Sequence, residues 1–162
     1  VPLAREVELI GNYLGIESVR FQDRLHVTYN IPHELSEAQV PSMVLQPLVE
    51  NAIKHGLDAT SDHVDINVRA EERDGTLVLM VTDNGKGCID VSMAMEHGGI
   101  GLRNVRDRIQ LLYGAEATFA ISSPGGKGFN VELSFPLRMA PDPRSNGSSH
   151  PVNARSTAHT LP

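Results

Sequence analysis

Hydrophobic positions recur along this chain in two rhythms, one close to the helical period of about 3.6 residues and one of about 2, the period of a strand. Residues 3–22 carry Leu3, Val7, Ile10, Leu14 and Phe21 near heptad spacing, which predicts a helix in spite of Gly11 and Gly15. "LHVTYNI" then alternates strictly, with Leu25, Val27, Tyr29 and Ile31 against His26, Thr28 and Asn30, and predicts a half-buried strand. A second helical stretch centres on "LVENAIKHG", residues 48–56, and is expected to begin near Pro41 or Ser42. "HVDINVRA" and "TLVLMVT" read as strands joined by a turn at "RDG", the second apolar enough for a central strand. Leu102, Val105, Ile109 and Leu112 predict a further helix that stops at Gly114. "ATFAIS" and "FNVELSF" complete a second hairpin across "SPGGKG". Hairpins combined with intervening helices predict an α/β two-layer sandwich, a mixed or antiparallel sheet with its helices on one face.

Composition narrows this picture. A length of 162 residues suits one domain, and a formal charge of −6 argues against nucleic acid or anionic lipid as a partner. Arg103, Arg106 and Arg108 share one helix, but seven aromatics in an acidic chain do not make a nucleic-acid surface. The single cysteine, Cys88, excludes an internal disulfide and suits a reducing compartment. The sequence begins at Val1, without a signal peptide, and reads as a piece of something longer. From about Met139 onward it turns to Pro, Ser, Asn and Arg with little to bury, which predicts a disordered tail.

The helix around residue 51 poses the chemical question. At about 100° per residue Asn51, Lys54, His55 and Asp58 share a face, with Pro47 and Glu50 at its edge. Leu45, Leu48, Val49, Ala52 and Ile53 form the opposite, buried face. Asparagine is a poor helix former, so the polar stripe is either a solvated face or the floor of a site. Pro47 should clash with the carbonyl of residue 43 and kink or restart the helix. "DNGKG", Asp83 to Gly87, follows the central strand, as a plain turn or as an acceptor for an exocyclic amine with glycines that admit a flat ring. "GGIGLRN", Gly98 to Asn104, opens a helix and is either a flexible loop or an anion seat. Other chemistries fail: there is no GxxxxGK[ST], no GxGxxG in a βαβ unit, and "HELSE" is not HExxH.

Taken in order, "LVENAIKHG", "DNGKG", "GGIGLRNVRDRI" and "GGKGFNVELSFP" resemble the N, G1, G2 and G3 boxes of the GHKL ATPases, which include gyrase, MutL and bacterial sensor histidine kinases. "NYLGIESVRF" and "VPSMVLQPLVENAIKHG" narrow the resemblance to sensor kinases of the LytS and YehU type, over residues 3–137. The resemblance implies the Bergerat ATP-binding fold, with ATP and Mg²⁺ between the helices and one sheet face. Asn51 matches the asparagine that binds Mg²⁺, and Lys54 and His55 stand where relatives place phosphate and adenine contacts. Asp83 matches the aspartate that receives the adenine amino group, with Gly85 and Gly87 as its glycines. Gly99, Gly101 and Leu102 match the segment that brackets the ATP lid, and Asn104 belongs to the helix start near the phosphates. On this reading the polar stripe is a site.

Four departures from the family pattern matter. Gyrase-like members carry a glutamate base where Pro47 stands, so a gyrase-type activation of water is not expected. Glu50 is the nearest carboxylate, as a base toward the acceptor histidine or as a plain surface acid. Phe129 replaces the usual threonine of the last box, and the lid, about residues 88–98, is short. The family's phosphoacceptor motif is absent from this sequence. The expected division is therefore a linker helix over 1–24, an ATP-binding domain over 25–138 and a tail over 139–162. The resemblance implies transfer of the γ-phosphoryl group to a histidine outside the fragment, in a homodimeric membrane sensor whose catalytic part is cytoplasmic. The phosphate would pass to a response regulator, often of LytTR type, and the fragment alone is expected to be monomeric. The alternatives are a GHKL module that binds nucleotide without turnover and acts through a partner protein, and a protein-serine kinase of the anti-sigma type.

Overall fold

The computed structural model describes residues 1–56, 63–85, 100–124 and 127–141. Helix α1 spans Leu3–Phe21, strand β1 Leu25–Asn30, helix α2 Gln46–Gly56, strands β2 Val64–Arg73 and β3 Thr76–Asp83, helix α3 Ile100–Tyr113, and strands β4 Thr118–Ser122 and β5 Phe129–Pro136. The strands form one sheet in the order β1-β2-β3-β5-β4. β1 runs parallel to β2 and every other pair is antiparallel, so the sheet is mixed, as expected, and β3 is its central strand.

Period-2 burial fixes which face is covered. Val64, Ile66, Val68 and Ala70 of β2 and Phe129, Val131, Leu133 and Phe135 of β5 are buried, while Asp65, Arg69 and Glu72 are exposed. The helices close that apolar face with Leu48, Val49, Ala52 and Ile53 of α2 and Leu102, Val105 and Ile109 of α3. Leu3, Ile10 and Leu14 of α1 join the same core. The "RDG" turn is real: Asp74 and Gly75 both take positive φ, 50° and 76°, the signature of a tight hairpin whose twist matches its strands.

Two expectations are corrected. α2 begins at Gln46 instead of near Pro41 or Ser42, because Pro47 restarts the chain. In a first turn the missing proline N–H has no intrahelical acceptor to lose, and Leu45 O takes the N–H groups of Leu48 and Val49 at 3.1 Å each. α3 stops before Gly114, whose φ of 57° ends it, but Leu112 is 56 % exposed. Tyr113 takes its place against the core, stacked on Phe135 at 4.8 Å between ring centroids. Met139 and Ala140 still pair with Ala38 and Glu37, and residues 142–162 lie outside the described part.

Candidate functional site

The first half of the site is a cleft of about 380 Å³ between α2 and the start of α3. Pro47, Glu50, Asn51 and Lys54 line one wall, and Ile100, Gly101 and Leu102 line the other. The helical period dictates this wall: residues 47, 50, 51 and 54 recur at three and four, so burying the apolar stripe of α2 on the sheet turns them toward α3. Asn51 is 9 % exposed, and its amide has no hydrogen-bond partner among the described residues. A buried amide left open toward a cleft is a donor set that suits an oxygen-coordinated cation, which takes neutral carbonyl oxygens readily. Lys54 is exposed at the rim, and Glu50 accepts from Gln46 Nε2 at 3.0 Å. The first turn of α3 meets this wall directly: a Cβ on Gly101 would lie 3.5 Å from Pro47 Cβ.

The second half is at the end of β3. Asp83 is 5 % exposed, and its Oδ1 accepts the N–H of Gly85 at 2.9 Å. Burial raises its pKa above the ordinary carboxylate range, opposed by the Gly85 N–H and by the charge of His55. The backbone here is packed to the limit. A Cβ on Gly85 would stand 2.4 Å from the Cα of Gly56 at the end of α2, so only glycine lets helix and strand approach this closely. A Cβ on Gly128, at φ 65°, would stand 2.7 Å from the Asp83 carbonyl oxygen, and its N–H donates to Gly85 O at 2.9 Å. Phe129, directly opposite Asp83 in the sheet register, is buried beside it.

The structure thus gathers Glu50, Asn51, Lys54, Gly101 and Leu102 in one cleft and Asp83 and Gly85 in a second cluster, where the charge of His55 acts on Asp83. Asn104 is exposed one turn further along α3 and does not line the cleft. Gly87, Gly99, Asp58 and the lid lie outside the described residues. Sequence reasoning gave no role to Gly56 or Gly128, although both end quoted motifs, and it passed over Glu6. That residue falls on the buried stripe of α1, three positions after Leu3 and four before Ile10, and is 1 % exposed.

The fold is a two-layer α/β sandwich in which Asn51 and Asp83 are buried polar groups. Residues 37–139 match the family model described as histidine kinase-, DNA gyrase B-, and HSP90-like ATPase, and the chain belongs to that family. It is 33 % identical over 139 residues to the sensor histidine kinase YesM of Bacillus subtilis and 36 % identical over 138 residues to the sensor histidine kinase BtsS of Escherichia coli. It is also 30 % identical over 148 residues to the sensor protein LytS of Enterococcus faecalis. Each alignment covers 85–86 % of this chain but only 24–25 % of the relative, so the chain spans about a quarter of their length. Among solved structures, the histidine kinase domain of the Erythrobacter litoralis blue-light activated kinase superposes with a TM-score of 0.65 at 21 % identity, covering 85 % of this chain and 62 % of that one. The catalytic domain of histidine kinase ThkA does so at 0.64 and 11 %, covering 86 % and 97 %. These two share the fold. This chain is the ATP-binding catalytic domain of the sensor histidine kinase type.

Proposed function

We propose that this domain binds MgATP in the α2–α3 cleft, with its base on Asp83, and delivers the γ-phosphoryl group to a histidine outside residues 1–162. The observation that carries the reading is the buried Asn51 amide, open toward a cleft whose far wall is a helix N-terminus. Asn51 supplies a neutral oxygen to Mg²⁺, which when bound offsets phosphate charge. Lys54 adds a cation at the rim, and the first N–H groups of α3, at Ile100 to Leu102, face the phosphates with the positive end of the helix dipole. Asp83 accepts the exocyclic amine of adenine, beside the apolar wall of Phe129, with the charge of His55 acting on the same carboxylate; Gly87 and Gly99 are assigned to the nucleotide by resemblance alone. Glu50, on the rim nearest an incoming side chain, orients and polarises the acceptor imidazole.

In this account the whole protein is a dimeric sensor with its catalytic domain at the cytoplasmic side of a membrane. Its phosphoryl group goes on to a response regulator, of LytTR type by resemblance. Among the described residues no helix is long and apolar enough to cross a membrane. The test is to incubate the full-length protein with γ-labelled ATP and to ask for a label stable to base and labile to acid. The expected result is phosphohistidine on the upstream region, lost with Asn51→Ala and reduced at least tenfold with Glu50→Gln at unchanged ATP affinity. A wild-type protein that binds ATP and forms no phosphohistidine would leave a regulatory nucleotide module instead.

A further inference from the structure

The loop 41–45 leads directly into α2, and groups outside the ATP cleft hold it from two sides. From α1, the buried Glu6 carboxylate accepts the backbone N–H of Met43 at 2.7 Å through Oε1, and of Val44 at 2.9 Å and Leu45 at 3.1 Å through Oε2. From α3, Arg108 donates through Nη2 to the carbonyl of Ser42. Met43 sits at φ 60°, a left-handed conformation that is strained for a non-glycine residue and persists only where its surroundings impose it. Glu6 has no ion-pair partner among the described residues, so its charge is offset by those three N–H groups and the positive end of α2. Leu45 is the junction. Its N–H is held by Glu6 while its carbonyl accepts the first bonds of the helix, about 9 Å along the axis from Asn51 at 1.5 Å per residue.

We propose that Glu6 is a positioning residue for the phosphate half of the nucleotide site. Helix α1 sets through Glu6 where α2 begins, and hence where Asn51 and Lys54 stand, while Arg108 ties the same loop to α3, the opposite wall. The base half belongs to β3, where the sheet register and Gly85, rather than this loop, fix Asp83. Displacement of α1 therefore changes phosphate contacts and leaves base contacts alone. This rests on the ATP reading above.

The two halves can be read separately by titrating the 162-residue chain with MgATP and with adenosine, following backbone amide shifts well below each variant's thermal midpoint. Glu6→Gln keeps the shape and removes the charge. It is expected to weaken MgATP about tenfold and to change adenosine affinity by less than about twofold, with Arg108→Ala acting in the same direction and more weakly. Equal losses for both ligands, or a lowered thermal midpoint with wild-type MgATP affinity, would make Glu6 a purely structural residue and overturn the proposal. If Glu6→Gln does not fold, Arg108→Ala carries the test alone, and unchanged MgATP affinity in it overturns the proposal. Failure of the wild-type chain to bind either ligand removes the ATP reading itself, and this inference with it; that result is distinguishable because it needs no variant.

Discussion

Asp83 carries a carboxyl group into the interior, and the direction of its pKa shift gives the cost. Burial raises its folded pKa above the unfolded value, so the folded state holds the proton more tightly. The stability it contributes is fully present below the ordinary carboxylate range and is lost as pH rises through the raised value. At neutral pH the ligand-free domain therefore tolerates a penalty, and Asp83→Asn is expected to raise the thermal midpoint while abolishing nucleotide binding. The gain should be larger at neutral pH than below the ordinary aspartate pKa of about 3.9, which thermal denaturation at both would check. A gain independent of pH would place the cause elsewhere. The same protonation should weaken ATP binding by the wild type as pH falls, since a protonated carboxyl accepts less well from an amine. At this scale the sequence was informative wherever a residue was out of place. A mid-helix Asn51 and a strand-end Asp83 are poor choices for stability and good ones for chemistry. Glu6 lay equally out of place on an apolar stripe, but its acceptor role needed partners 37–39 residues away, which no local pattern reveals.

Among the elements, α2 does most to build the site, and its start and its end are both set by backbone contacts. Its start depends on Pro47 restarting the chain and on the Glu6 carboxylate. Its end depends on Gly56 lying against Gly85. Gly85→Ala would drive a methyl into the Gly56 backbone, which has no side chain to rotate away, and overpacking of this kind costs about 1–3 kcal/mol. The expected outcome is a fall in thermal midpoint together with at least tenfold weaker ATP binding, because the helix that carries Asn51 must move off the strand that carries Asp83. A folded Gly85→Ala domain with wild-type affinity would show that the two elements are not rigidly joined. Periodicity made every element legible, including the central position of β3. It misplaced the start of α2 because Pro47 restarts the helix and contacts from α1 and α3 hold loop 41–45 out of it, and it counted Leu112 as core where Tyr113 packs instead.

On the proposed reading the molecule as a whole divides labour between its two layers: the end of the central strand β3 would take the base, and the helices above the sheet would take the phosphates. Alternation and hairpin signals made the two-layer class legible. The single parallel pair, β1 with β2, was not, since the chain returns to β2 through α2 and that crossover is set by how α2 packs on the sheet. The phosphoryl donor and acceptor are expected to belong to different regions. None of the seven histidines here should be labelled when this chain alone is incubated with γ-labelled ATP, and mass spectrometry of the product checks this directly. Phosphate on any one of them would relocate the acceptor.

The central claim is that one nucleotide is held by two separate groups, Asp83 for the base and Asn51 for the metal-bound phosphates. Calorimetric titration of ATP into this chain, with and without Mg²⁺, beside Asp83→Ala and Asn51→Ala, tests it most directly. The account predicts Mg²⁺-dependent binding by the wild type, none by Asp83→Ala, and weak, Mg²⁺-independent binding by Asn51→Ala. A folded wild type that binds no ATP, or an Asn51→Ala variant that keeps its full response to Mg²⁺, would contradict it.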